Sequence, residues 1–139
     1  MKILYQGTEG AYSQLAALEV YPKAETISCK TFEQCFKGCL DDNGLKTIIP
    51  VENSIAGRVA DIQYLMNKYK LQIYAEHFHK VSHNLMVIPG VKIKDIKSVR
   101  SHAQAISQCQ KIINENSLEP IIAADTAGSA KYISENFKK

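Results

Sequence analysis

Short apolar runs of strand length alternate with stretches of helical period along almost the whole chain, and this alternation restricts the fold more than any single motif. The strand-like runs are Ile3 to Tyr5, Thr26 to Cys29, Thr47 to Val51, Leu71 to Ala75, Leu85 to Ile88, Ser98 to Arg100 and Pro120 to Ala123. Between them fall helical stripes: Ala11, Leu15 and Leu18; Phe32, Cys35, Phe36, Cys39 and Leu40; Val59, Ile62, Met66 and Tyr69; Ile106, Cys109 and Ile113; Ala130, Ile133 and Phe137. Thr31 and Gln34 have the spacing of a capping box at the second stripe. A β-α-β-α order requires right-handed crossovers and places helices on both faces of largely parallel sheets, so the expected fold class is α/β.

The rhythm breaks once. From Leu71 to Pro89 two apolar runs have no helix between them, and the intervening stretch is polar and carries His77, His79 and His83. The chain is expected to leave one α/β lobe here and enter another: residues 1–76 and 77–139, with a cleft between them and a boundary near His77. No Gly/Ser linker intervenes, which predicts a short hinge. A length of 139 residues suits one domain or two small lobes, and 45% apolar with 22% charged residues is the composition of a globular protein. The net charge of +3 is spread along the chain, which argues against nucleic acid as a partner. No apolar run reaches the ~18 residues of a membrane span. The opening "MKILYQGTEG" lacks the apolar stretch of a signal peptide, so a cytoplasmic location is expected. Cys35, Cys39 and Cys109 sit in apolar stripes and no C-x-x-C pair occurs; they read as core thiols.

Open parallel sheets bind ligands beyond the carboxyl ends of their strands. Four strand-to-helix junctions carry unusual polar groups there. Gln6-Gly7-Thr8-Glu9-Gly10-Ala11-Tyr12-Ser13 is either a plain turn or a turn whose helix start receives an anion. Glu52-Asn53-Ser54 follows the third apolar run; as a buried triplet it needs partners, with Asn53 expected to face a ligand and Glu52 able to brace the backbone. Ser101 is expected to cap the helix beginning at His102, with Ser101, Ala105 and Gln108 on its open side. Asp125-Thr126-Ala127-Gly128 offers Asp125 or Thr126 as a cap. Arg58 and Arg100 each adjoin one of these groups, and a guanidinium is a natural partner for a carboxylate. Together the junctions suggest a small anionic ligand held between lobes. His77, His79 and His83 share parity on an extended segment, the geometry of a metal site; no Asp or Cys joins them in sequence, the segment reads as a hinge, and no metal is expected. Ser101 with His102 is not a nucleophile–base pair, since adjacent residues seldom face each other and no G-x-S-x-G elbow occurs.

The segments "YQGTEGAYSQLAA", "PVENSIAGRV", "HNLM", "SHAQAISQC" and "DTAGSA" are together similar to the prephenate dehydratase family, in its order and spacing, over essentially the whole chain. The resemblance implies two α/β lobes like those of type II periplasmic binding proteins, with prephenate in the cleft. It implies conversion of prephenate to phenylpyruvate without metal or organic cofactor. By motif match, Asn53 and Gln108 take catalytic positions. Gly10, Ala11, Glu52, Ser54, Arg58, Ser101, His102, Thr126 and Ala127 take substrate-binding ones. The sequence departs from the family pattern in four respects. The Thr-Arg-Phe triplet that follows the last motif and the regulatory ACT domain are absent from these residues, and the fold is expected to be incomplete at its C-terminus. Ala103 stands where Pro is common, and Ala11-Tyr12 where Thr-Phe is usual. Alternatives within the same reading are arogenate as substrate, or a module that binds a small dicarboxylate without turnover. A sheet short of an element leaves an edge for a second chain, which predicts a homodimer.

Overall fold

The computed structural model describes residues 1–137, the side chain of Ala60 apart. Strand β1 (Lys2–Gln6) is the centre of the first sheet, flanked in parallel by β2 (Glu25–Cys29) and β3 (Leu45–Thr47) in the order β2-β1-β3. Its unbroken apolar run explains the position: Ile3, Leu4 and Tyr5 are 2%, 4% and 2% exposed, as a strand covered on both faces requires. Helix α1 (Tyr12–Val20) joins β1 to β2, α2 (Phe32–Asp41) joins β2 to β3, and both pack against β1. Gly38 lets α2 come close, since a Cβ there would lie 2.5 Å from Leu4 Cδ1. Thr31 caps α2 by accepting from the Gln34 N–H at 3.2 Å, and Gln34 Oε1 in turn accepts from the Lys30 N–H at 2.8 Å.

Beyond β3 a short antiparallel hairpin, β4 (Glu52–Asn53) and β5 (Gly57–Arg58), leads into α3 (Ala60–Tyr69). Helix α3 lies on α2 through a core of Phe36, Ile62 and Leu65, with Phe32, Ile49, Val59, Met66, Tyr69 and Leu71 around it. Lys68 Nζ and Tyr69 Oη both donate to Glu33 Oε1, at 2.8 and 2.5 Å, and tie the exposed edges of the two helices together.

The second compact unit begins at Ser82. Strands β6 (Ser98–Ser101) and β7 (Glu119–Ile122) run parallel, with Ser101 opposite Ile122. They are joined by α4 (Ala103–Gln108) and α5 (Gln110–Glu115), and α6 (Thr126–Asn136) follows β7. Ile106, Ile113 and Leu118 form the core, with Ile96, Val99 and Cys109 packed on it. Among the described residues no helix is long and apolar enough to cross a membrane.

The α/β class and its parallel pairing are as expected, but several elements differ. The apolar runs at 71–75 and 85–88 form no strands. No neighbouring strand accepts their backbone bonds, and residues 72–78 lie exposed. The third strand ends at Thr47, not Val51; Ile48 N–H still donates to Leu4 O at 3.0 Å, but Pro50 has no N–H with which to extend the ladder. The stripe through Ile106, Cys109 and Ile113 is not one helix. Cys109 (φ −102°, ψ 12°) shares its N–H between Ala105 O and Ile106 O and divides the stripe in two. The units separate after Val81, beyond the 76/77 boundary, because His77 and His79 both bond to Glu19 of α1 and hold that stretch to the first unit.

Candidate functional site

In each unit the polar junctions follow the carboxyl ends of parallel strands. The turn after β1 holds Gly7 and Gly10 at φ +118° and +86°, where a side chain would be strained. Its own donors are engaged: Gly7 N–H donates to Cys29 O and Ala11 N–H to Thr8 O, both at 3.0 Å, and Gly10 N–H donates to Gln14 Oε1 at 2.6 Å. Gln14 was not anticipated. Its Nε2 reaches back to Thr26 Oγ1 at 3.0 Å, so one side chain clamps the turn to β2. Gly10 and Ala11 therefore offer open space and a helix start, Ala11 being an N-cap without a side-chain bond.

The Glu52-Asn53-Ser54 triplet is not buried as a unit: Asn53 is half-buried, while Glu52, Ser54 and Arg58 are exposed. The expected division of labour also changes. Asn53 is the brace, its Oδ1 accepting from the N–H groups of Ile55 and Ala56 at 2.9 Å each, an Asx turn that shapes the hairpin tip. Two backbone donors fix which end of the amide is oxygen, and the Nδ2 donor is left without a partner among the described residues. Glu52 lies opposite Arg58 across the hairpin, yet the two form no ion pair. Both line a pocket of about 510 Å³ with Val51, Val59, Ile62 and Met66.

In the second unit the helix cap is His102, not Ser101: His102 Nδ1 accepts from the Gln104 N–H at 3.3 Å. A neutral imidazole that accepts at Nδ1 carries its proton on Nε2. Ser101 is the last residue of β6 and its backbone O accepts from Ala123 N–H at 2.9 Å. Ala105, expected on the open side, is buried against the core. The junction after β7 converges with it, since β6 and β7 are parallel and in register. There Asp125 is the cap, accepting from Gly128 N–H through Oδ1, and buried Ser129 donates to Asp125 O at 2.7 Å. Thr126 and Ala127, half-buried, begin α6. Gln108 ends α4, and its Oε1 accepts from His83 Nε2 at 3.1 Å. Its amide nitrogen, like that of Asn53, has no partner among the described residues. Arg100 lies with its guanidinium 4.6 Å from the Tyr132 ring, and its buried Nε has no partner among the described residues.

The family model of prephenate dehydratase matches residues 3–139. The chain belongs to the prephenate dehydratase family. It is 39% identical, over 96% of its length, to a bifunctional N-acyl-homoserine lactone acylase/prephenate dehydratase of Komagataeibacter europaeus, of which it covers 47%. It is likewise 39% identical, over 99% of its length, to the chloroplastic arogenate dehydratase/prephenate dehydratase 1 of Arabidopsis thaliana, of which it covers 35%. The solved prephenate dehydratase of Staphylococcus aureus superposes on 96% of this chain with a TM-score of 0.79 at 26% identity, the match covering 51% of that structure. Helix-flanked parallel sheets are thus the fold of a solved member of the family. The chain spans about half the length of that structure, and less of the plant relative.

Proposed function

We propose that this chain acts in phenylalanine biosynthesis as a prephenate dehydratase, binding prephenate and carrying groups for its conversion to phenylpyruvate. The reaction breaks the bond from the ring to its carboxylate. That electron pair moves through the ring as it becomes aromatic, and the ring C–O bond breaks with its own pair on oxygen. Dianionic prephenate and one proton thus give phenylpyruvate, carbon dioxide and water. The residues needed are donors: some to hold carboxylates, one to supply a proton or hydrogen bond to the departing hydroxyl.

The observation that carries this reading is the hydrogen bonding of Asn53. Its oxygen is spent on the hairpin, so what it presents is a fixed N–H donor, suited to an anion and not to a cation. Gln108 presents the same group in the His83 tautomer whose Nε2–H donates to its oxygen. Arg58 adds a cation to the Asn53 hairpin, and Glu52 and Ser54 flank it. Ser101, His102 through Nε2–H, Thr126 and Ala127 offer donors or room at the second unit's strand ends, and Gly10 and Ala11 at the first unit's. The Thr-Arg-Phe triplet does not occur in these 139 residues, so little or no turnover is expected from them alone. The cytoplasmic reading rests on four free cysteines, which a reducing compartment preserves. The homodimer reading rests on the outer edges of the two parallel sheets, which are unpaired among the described residues.

The deciding experiment mixes purified chain with prephenate or arogenate and follows phenylpyruvate or phenylalanine. Calorimetric binding of each compound is measured beside it, with Asn53→Asp as control. Prephenate binding that this variant loses supports the reading. Tighter binding of arogenate reassigns the substrate, and binding of neither removes the proposal.

A further inference from the structure

One cluster of side chains on the first unit has no part in the chemistry above. Glu19, near the end of α1, accepts at a single oxygen, Oε2, from His77 Nε2 at 2.8 Å and from His79 Nδ1 at 2.9 Å. The two histidines alternate on extended backbone, so their rings leave the chain on the same side, and by using different ring nitrogens they reach one point. The sequence pattern counted His83 as the third member of this set. The fold sends His83 to Gln108 and supplies in its place a carboxylate from 58 residues upstream of His77.

We propose that Glu19, His77 and His79 form a binding site for a divalent transition-metal ion of the zinc class, with water in the remaining positions. The three ligand atoms lie within 4.8 Å of one another, and among the described residues no other His, Cys, Asp or Glu group is so arranged. A tetrahedral ion at ~2.0–2.1 Å from each ligand needs them ~3.3 Å apart, which the exposed Glu19 side chain and the imidazole rings reach by small rotations. Two imidazoles and one carboxylate favour zinc, cobalt or nickel; calcium and magnesium prefer oxygen ligands. The surroundings suit a shallow, exchangeable site. The His79 side chain is 15% exposed and its ring lies 5.6 Å from that of Tyr12, while His77 and Glu19 are open to solvent. One ion would replace the two hydrogen-bonding protons and clip the segment leaving the first unit to α1.

The test uses tag-free chain stripped with chelator. It is titrated with Zn²⁺ in a calorimeter and with Co²⁺ in a visible spectrometer. One equivalent of Zn²⁺ should bind, and Co²⁺ should give the absorption bands of a four- or five-coordinate site. His77→Ala, His79→Ala and Glu19→Gln, each checked for folding by circular dichroism, should weaken binding at least ~10-fold, as removal of a ligand does at such sites. His83→Ala should bind as the parent does. Absence of stoichiometric binding overturns the proposal, as does binding that survives the double substitution of His77 and His79 or falls equally with His83→Ala. None of these readings depends on turnover, so the site and the proposed reaction stand or fall separately.

Discussion

Strand β1 of the first unit and strand β7 of the second are both parallel strands that lead toward a candidate site, yet they are embedded very differently. β1 has a neighbour on each side and its three central residues are buried, whereas every residue of β7 is exposed, Ile122 to 60%. The difference is one of neighbours, since apolar side chains occur in both. A strand with one partner keeps half of its backbone groups and much of its side-chain surface in water. The first sheet is therefore a rigid base for its loops, and the second unit positions its polar groups mainly through helix caps and the Ile106 core.

The sharpest test of that contrast removes equivalent isoleucines. Ile3→Ala opens a cavity beside β1, where the side chain is 2% exposed, and should cost ~2–5 kcal/mol. Ile122→Ala should cost less than ~0.5 kcal/mol, being a surface change. Urea midpoints for the two variants check both, and similar losses would mean that β7 is covered in solution.

A second pair compares the two amides. Asn53→Asp retains the oxygen that the hairpin needs and replaces the outward donor with negative charge, and Gln108→Glu does the same in the second unit. Each should lower affinity for prephenate by ~10–100-fold, the worth of a hydrogen bond to a charged group, with little change in melting temperature. Loss in only one variant would restrict ligand contact to that unit. Caps come next in size. Gly128→Ala places a Cβ 2.9 Å from the Asp125 carboxylate and should cost ~1 kcal/mol by opening the start of α6, seen in thermal melts. The smallest effect concerns acid. The Lys68 ammonium and the Tyr69 hydroxyl hold the Glu33 carboxyl down at about 2, so its contribution is present above the ordinary carboxylate value of 4.5 and lost as the pH falls toward 2. Glu33→Gln should flatten urea midpoints measured across that window.

The period of the apolar residues announced where helices form, though it joined α4 to α5 and placed Leu15 and not Ala16 and Ala17 on the buried face of α1; the run Ile3 to Tyr5 announced the central strand, because repeat and run length are properties of neighbouring residues. The junction motifs identified the family for the same reason: loop chemistry is written in consecutive side chains. The same local signal misled at Leu71 to Ala75 and Leu85 to Ile88. Nothing in an apolar run states whether a second strand will lie within bonding distance. It misled again at Ser101 and His102, adjacent residues both able to cap, where the backbone path out of β6 selects His102.

What the sequence determined by itself, then, is the α/β alternation, the parallel crossovers and the residue types gathered at the strand ends. Only the tertiary structure decided which end of Asn53 and Gln108 is spent on the protein, and that Glu19 and not His83 completes the set with His77 and His79. Those choices are hydrogen bonds between groups as far as 60 residues apart, and such bonds are settled by which chain segments pack side by side.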